Sequence, residues 1–237
     1  MKFIPILFSR PMVLAIRFGW KTMTRRTTHD NGDTLIGYEY VTGCPTYPAT
    51  WKGKSSEPYT GWAAKFSNLP LAMPRICPYG QLGDVLWVRE EHYAFGWWED
   101  IEGEFTETGK QKTQFVHTDD PAMSDIYFAD TLPSFIRLSE SRGSFPAWHR
   151  RPGMFMPAKY ARLFLEVTAA RVERIQEITE ADCIAEGVTI GEYPNNLASV
   201  AFVDLWMSVN GKRSWLDNPW VWAVSFKNVE KSQNFPI

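Results

Sequence analysis

The sequence predicts a mixed α+β domain that is built on a small, curved β-sheet or barrel with flanking helices. Short β-rich apolar segments occur near both ends of the chain, and segments with helical apolar spacing stand between them. The length of 237 residues suits one domain that spans 1–237 and carries large insertions. We expect two insertions, at about 30–80 and at about 96–158.

The N-terminal segment predicts a strand followed by a helix. Residues 4–8 are apolar and β-prone, Ser9 is a suitable N-cap, and Pro11 suits the first helical turn. Gly19 supplies the C-terminal stop of this helix. We therefore expect Lys21 just beyond the helix end.

The middle of the chain has the weakest periodicity. Residues 30–80 mix glycine, proline, serine and aromatic residues without a sustained period, which predicts a largely irregular insertion whose aromatic side chains pack on the body of the domain. Residues 85–90 predict a strand with its charged end at a rim. The second insertion, at 96–158, contains one further candidate strand at 124–128.

The C-terminal third has the clearest pattern. Residues 163–175 predict one long or bent strand, and Thr179 is a suitable N-cap for a short helix that ends at Gly187. Residues 199–209 have helical apolar spacing, and residues 220–226 predict a closing strand.

The charge distribution indicates a local site for anions rather than a broadly basic surface. The formal net charge is −2, yet residues 1–29 contain six basic residues and no acidic one. A protein that binds nucleic acid over its whole surface is therefore excluded, and a focused anion site near the N-terminus is favoured.

Cysteine and histidine usage favours a reducing compartment and argues against a metal centre. The chain has three cysteines and four scattered histidines, without a CxxC motif. We also find no signal peptide and no apolar run that is long enough to span a membrane. The expectation is a cytoplasmic protein without a metal or cofactor.

Residues 19–26, Gly-Trp-Lys-Thr-Met-Thr-Arg-Arg, gather the chemistry of a candidate site. Lys21 can act as a base for the Thr24 hydroxyl if burial and the neighbouring Arg25 and Arg26 lower its pKa. The alternative is a lysine that complements a helix dipole and a threonine that begins a strand. Local chemistry alone favours this alternative by roughly two to one.

Three further features extend the candidate site. Glu186 lies in the last turn of the second predicted helix, where a carboxylate opposes the helix dipole, although an ordinary solvated glutamate would also fit. Arg89 and Glu90 end the strand at 85–90 and are candidate substrate contacts. Trp20 is a candidate stacking residue, whereas most of the eleven tryptophans suit the core or the insertions better.

The pattern Gly-x-Lys-x-x-x-x-Arg at Gly19, Lys21 and Arg26 resembles the signature of the ASCH domain, a branch of the PUA-like superfamily. The turn at Gly83-Asp84 and the strands at 162–168 and 222–226 fall where that fold would have them. The resemblance covers about half of the chain and is greatest to large ASCH-like proteins of phages and prophages. It implies a PUA-like barrel with flanking helices and two added insertions.

The resemblance also implies a chemistry. One small bacterial branch of the family is an amidohydrolase that removes the acetyl group of N4-acetylcytidine through a lysine, a threonine and a later glutamate. The matching positions here are Lys21, Thr24 and Glu186. The implied ligand is a modified nucleoside or nucleobase, bound without a metal. The candidate binding residues Arg25, Arg26, Arg89, Glu90 and Trp20 are inferred from their positions and not from the resemblance.

Two alternatives remain open at this point. Other family members are thought to bind RNA, so the chain could be a nucleic-acid-binding module without catalysis, or a ribonuclease. The long insertions depart from the small amidohydrolase, and they could close over the pocket, change the substrate or block it. The oligomeric state and the exact substrate do not follow from the sequence.

Overall fold

The structure of the protein is a computed structural model that describes residues 1–28, 35–44, 59–66, 73–118, 120, 123, 125–140, 142–188 and 197–236. The strands are β1 (Phe3–Leu7), β2 (Met23–Thr27), β3 (Leu35–Cys44), β4 (Tyr59–Phe66), β5 (Met73–Arg75), β6 (Val85–Arg89), β7 (His92–Phe105), β8 (Gln111–His117), β9 (Ile126–Phe128), β10 (Ala147–Arg151), β11 (Phe164–Arg174) and β12 (Trp220–Val229). The helices are α1 (Arg10–Arg17), α2 (Glu180–Ala185) and α3 (Ala198–Asn210), with 3-10 turns at Gly153–Phe155, Ala158–Tyr160 and Ile175–Glu177. The mixed α+β class is confirmed.

The chain divides into two compact units. The first contains Met1–Ile4, Leu14–Leu86 and Leu163–Glu230, and the second contains Pro5–Val13, Trp87–Arg162 and Lys231–Ile237. We describe each unit separately. The assignment of 1–237 to one domain stays a prediction.

The largest sheet has the strand order β1-β6-β11-β12-β2. Its β11 and β12 are long antiparallel partners, from Phe164 opposite Val229 to Arg174 opposite Trp220, and their register shifts between Val167 and Ala169. β11 is thus one long strand with an irregularity, where the sequence predicted one long or bent strand. Among the described strands the order has two ends, so they form an open sheet and not a closed barrel.

Helices α2 and α3 begin and end close to the predicted positions. The Thr179 hydroxyl accepts a hydrogen bond from the Asp182 amide at 3.2 Å, which caps α2. Gly187, with φ of 82°, ends the same helix. Both helices share a buried cluster with the ends of β11 and β12, formed by Ile175, Cys183, Ala198, Phe202, Trp206 and Val221. No helix of the described residues is long and apolar enough to cross a membrane.

The first insertion is not largely irregular, so that prediction was wrong for the part that the structure describes. Its strands β3, β4 and β5 form an antiparallel sheet. Glycines at Gly37 and Gly61 interrupt the apolar alternation that would have revealed the strands. Residues 29–34, 45–58 and 67–72 of this region lie outside the described residues.

The aromatic side chains of this insertion pack on the first unit, as predicted. The Trp62 indole donates a hydrogen bond to the Ala170 carbonyl of β11 at 3.3 Å. The Tyr38 ring makes an edge contact with the Trp220 ring, with 5.2 Å between the ring centres. Burial of these rings therefore holds the small sheet against β11 and β12.

The second unit is built around the long strand β7. β7 pairs with β10, β8 and β9, all antiparallel. The strand predicted at 124–128 is observed as β9, although Ser124 lies outside the described residues. Glu99, Asp100 and other acidic residues make the β7–β8 hairpin strongly acidic and exposed.

The Gly187 backbone gives the first testable prediction. An added Cβ at this left-handed residue would lie 2.9 Å from the Lys21 Cβ. We expect Gly187→Ala to lower the free energy of unfolding by about 2–3 kcal/mol, because left-handed strain and a steric clash add together. Urea denaturation measures this loss.

Gly19 is the matched control, since it follows α1 with φ of 74° but has open space around its Cβ position. Gly19→Ala should cost only the conformational strain, about 1 kcal/mol. Equal losses in the two variants would contradict a close approach of Gly187 to Lys21.

Candidate active site

The N-terminal octad meets the C-terminal end of α2 in the first unit. Lys21 and Glu186 form an isolated antiparallel bridge, and the Thr22 amide donates to the Ala185 carbonyl at 2.8 Å. Gly187 permits this approach because it has no side chain on the Lys21 side. Two segments that are 165 residues apart in sequence therefore lie side by side.

Lys21 and Glu186 form a buried ion pair. The Lys21 Nζ donates to Glu186 Oε2 at 2.6 Å and to the Glu186 carbonyl at 2.9 Å. The two side chains are only 1% and 5% exposed. A carboxylate at a helix C-terminus is unfavourable alone, and the ammonium compensates both the carboxylate and the last carbonyls of α2.

The environment of Lys21 lowers the pKa of its amine below 10.5. Burial is the main cause, the Glu186 carboxylate partly opposes it, and the positive charges of Arg26 and Arg25 lower the pKa further. An amine in such a site is easier to deprotonate than a surface lysine. It therefore has the property that a general base requires.

Arg25 lies at the centre of the charged cluster. Its guanidinium donates to Glu173 Oε1 at 2.8 and 2.6 Å, to Asp182 Oδ2 at 2.7 Å and to Glu186 Oε1 at 3.3 Å. The side chain has no exposed surface. Arg25 therefore links β2 to β11 and to α2, and its donors are directed at protein carboxylates rather than at a cavity.

Arg171 completes the cluster from the rim. It donates to Glu173 Oε2 at 2.7 Å and to Asp182 Oδ2 at 2.5 Å. The cations of Lys21, Arg25 and Arg171 thus face the carboxylates of Glu173, Asp182 and Glu186 in equal number. The described residues contain no group of three or more histidine, cysteine or acidic side chains that could hold a metal ion.

Thr24 lies on the other face of β2. Successive side chains of a strand point to opposite faces, so Thr24 and Arg26 share one face while Arg25 occupies the other. Thr24 is 3% exposed and pairs with Val224 of β12, and Arg26 pairs with Trp222. Directly opposite residues have neighbouring side chains, so Thr24 and Arg26 lie beside Val224 and Trp222.

The structure brings Lys21 and Glu186 together, but Thr24 is not joined to them by a hydrogen bond. Among the hydrogen bonds of the described residues, none connects the Thr24 hydroxyl with the Lys21 amine or the Glu186 carboxylate. A substrate or a movement of the Lys21 amine would have to close this gap, since hydrogen bonds of active sites are often completed only in the complex.

A cavity of about 310 Å³ opens on the Trp222 face of the first unit. Tyr40 and Trp62 from the first insertion line it, together with Ala170 and Cys77. The cavity is at the lower end of the range for small-molecule sites. Burial raises the pKa of Cys77 to about 11, so its thiol stays protonated at neutral pH.

Arg26 is a largely desolvated cation on this face. Burial lowers its pKa, and the nearby Tyr79 and Glu186 oppose the shift. Its neighbour across the sheet, Trp222, lines the cavity. Arg26 does not line the cavity itself, and neither do Lys21, Thr24 and Glu186, so Trp222 is the residue that connects this face of β2 with the cavity.

Trp20 remains at the surface. Its side chain is 64% exposed and stacks on Phe18, with ring centres 5.0 Å apart and an interplanar angle of 26°. The pair forms a small exposed aromatic surface directly before Lys21. The binding role of Trp20 stays a prediction.

Arg89 and Glu90 belong to the second unit and have partners there. Arg89 donates to the Met154 carbonyl at 3.2 Å and lies over the Trp87 ring. Glu90 accepts two hydrogen bonds from Arg162, at 2.9 and 2.7 Å. The proposal that these two residues bind the same substrate as Lys21 stays a prediction.

Sequence reasoning missed the other half of the charged cluster. Arg171 and Glu173 are two residues apart on β11 and therefore share one face of the strand. The two-residue spacing of these charged side chains is visible in the sequence and could have identified them. No role in the site was predicted for Asp182, which lies on α2 and accepts from Arg25 and Arg171.

No family model, curated protein or solved structure matches the chain.

The second testable prediction concerns the buried cluster. We expect Arg25→Met to lower the free energy of unfolding by about 3–5 kcal/mol at neutral pH, because the variant leaves buried carboxylates without their cation. Urea denaturation followed by circular dichroism measures the loss.

Arg213→Met is the control, since Arg213 is 88% exposed and pairs with Asp217 on the surface. This variant should leave the free energy of unfolding almost unchanged. Similar values for both variants would mean that the Arg25 contacts contribute no more than a surface pair.

Proposed function

We propose that the chain is a metal-independent hydrolase that cleaves a C–N amide bond in an acylated or otherwise modified nucleoside or nucleobase. Its site is Lys21, Thr24 and Glu186, and its fold is a PUA-like (ASCH) domain with two insertions. The observation that carries this proposal is the buried Lys21–Glu186 ion pair, 2.6 Å between Nζ and Oε2. Buried ion pairs are weak contributors to stability and are frequent in functional sites.

The proposed reaction has two stages. Lys21 takes the proton of the Thr24 hydroxyl while the hydroxyl oxygen attacks the acyl carbon, and the C–N bond then breaks as the amine leaves with a proton. The Lys21 amine then takes a proton from water, and the water oxygen attacks the acyl-threonine ester. This step releases the acyl group as a carboxylic acid and restores the Thr24 hydroxyl. Glu186 holds Lys21 in position and accepts or returns its proton.

The cavity on the Trp222 face suits the proposed substrate class. The tryptophan and tyrosine rings that line it can stack on a base. Thr24 and Arg26 share one face of β2, and Arg26 is directly opposite Trp222 of β12 on that face. The Arg26 guanidinium is the candidate donor for the oxyanion or for the base.

The binding-module and ribonuclease alternatives have less support from the geometry. Both need arginines that can reach phosphates, and Arg25 directs its donors at Glu173, Asp182 and Glu186 instead. The formal net charge of −2 also opposes a long polyanion. A small neutral substrate is subject to neither restriction.

The third testable prediction concerns the nucleophile. We expect Thr24→Val to reduce kcat/KM for N4-acetylcytidine by about 100-fold or more, because valine keeps the shape of threonine and removes its hydroxyl. Thr24→Ser keeps a hydroxyl and should retain activity within about tenfold. Release of cytidine is measured by chromatography.

Thr27→Val is the control, since Thr27 is an exposed residue at the end of the same strand. It should have wild-type kinetics. Wild-type turnover in Thr24→Val, or equal losses in the valine and serine variants, would exclude Thr24 as the nucleophile.

The fourth testable prediction concerns the base. Lys21 must lose its proton to act, so kcat/KM should rise with pH and level off at a pH below 10.5, in the direction of the lowered pKa. Lys21→Arg keeps the positive charge but cannot deprotonate, and it should lose activity at every pH. Activity in Lys21→Arg that equals wild type would reject a base at this position.

A further inference from the structure

The second unit contains a larger cavity that the proposed reaction does not use. Its volume is about 750 Å³, which is within the range of small-molecule sites. Trp98, Phe115 and Phe155 supply aromatic walls, and Arg142 and Arg151 supply cations. All of these residues belong to the second unit.

The strand pattern explains why these side chains meet. On β7, β8 and β10, Trp98 is opposite Phe115, and His149 and Arg151 share the face of Trp98. Gly96 is required on this face, because an added Cβ would lie 2.8 Å from the Phe115 ring and 2.1 Å from a backbone oxygen. Its lack of a side chain creates room for the aromatic floor of the cavity.

Arg151 is a buried cation that pairs with no carboxylate among the described residues. It is 7% exposed, and the centres of the Trp98, Phe115 and Phe155 rings lie 4.8, 4.2 and 4.8 Å from its guanidinium carbon. Its buried Nε has no hydrogen-bond partner. A desolvated guanidinium with an unsatisfied N–H donor and no opposing carboxylate would be stabilised by an anion.

Arg142 adds a second positive charge to the same wall. Its guanidinium carbon lies 4.5 Å from the centre of the Trp98 ring. Burial lowers the pKa of Arg151, and the charge of Arg142 lowers it further. Glu140 also lines the cavity, but in the part of the chain that the structure describes it forms no ion pair with either arginine.

The charge of Arg151 also influences the pKa of three neighbouring histidines. Burial lowers the pKa of His92, His117 and His149, and the charge of Arg151 lowers each further. His149 also lines the cavity, and its buried Nε2 has no hydrogen-bond partner. Arg150, the next residue on β10, is different, since it pairs with Glu91.

We propose that this cavity binds a mononucleotide, with the phosphate on Arg142 and Arg151 and the base against the aromatic rings. Two guanidinium groups match the geometry of a phosphate. The volume exceeds what a phosphate alone would fill. Three aromatic residues line the rest of the cavity together with polar residues such as Thr113 and Gln114, and an aromatic ring is a surface on which a base can stack.

The surroundings favour a small ligand over a nucleic-acid strand. Beyond Trp98 the β7–β8 hairpin exposes Glu99, Asp100 and further acidic residues. A strand that leaves the cavity along this hairpin would meet a row of negative charges. A mononucleotide has no continuing phosphates and avoids this repulsion.

The experiment titrates the full chain with AMP, with inorganic phosphate and with adenosine, using isothermal titration calorimetry. AMP should bind at least about tenfold more tightly than either of its parts, because charge and stacking act together. Arg151→Ala should weaken AMP binding by about tenfold or more. Arg142→Ala, at an exposed position, should have the same effect. Thermal unfolding checks that each variant is folded.

Arg137→Ala is the control, since it removes an exposed arginine of the second unit that does not line the cavity. It should bind AMP like wild type. Equal affinity for AMP and phosphate, tighter binding of a short single-stranded RNA than of AMP, or unchanged binding in both Arg142→Ala and Arg151→Ala would each overturn the proposal. These titrations contain no N4-acetylcytidine, so their result is independent of the proposed hydrolase.

Discussion

The buried charges between β2 and α2 constrain the first unit more than any other contact. Ions that leave water need partners with good geometry, and Arg25 provides these for carboxylates on β11 and on α2. These ion pairs fix the distance between α2 and the sheet, and they bring Glu186 next to Lys21. The candidate base and its carboxylate are therefore positioned by the same contacts that attach the helix.

The alternation of β2 separates two tasks that adjacent arginines would otherwise share. Arg25 faces the helix and completes the ion cluster, whereas Arg26 and Thr24 face the Trp222 side of the sheet. Lys21 lies before the regular strand, at the bridge to Glu186. Of the two adjacent arginines, Arg25 thus belongs to the ion cluster, whereas Arg26 lies on the face of β2 next to Trp222.

Local signals predicted the helices well and the first insertion poorly. Gly19, Thr179 and Gly187 act within a few residues of their helices, so a single sequence contains the necessary information. The strands β3 and β4 depend on pairing with each other and on rings that pack against β11 and β12, and glycines obscure their period. The pairing of Lys21 with Glu186 followed from a resemblance, whereas Glu173 and Arg171 required the register of β11.

The buried cations of the two units differ in the kind of group that surrounds them. In the first unit Lys21 and Arg25 face carboxylates at 2.6 to 3.3 Å, so their charge is largely neutralised within the protein. In the second unit Arg151 is equally buried but is surrounded by aromatic rings, which stabilise a cation without neutralising it. A formal net charge of −2 conceals this difference because it counts both kinds of arginine alike. Aromatic rings do not cancel the charge of a buried cation, and this is the physical reason for the anionic ligand that we propose at Arg151.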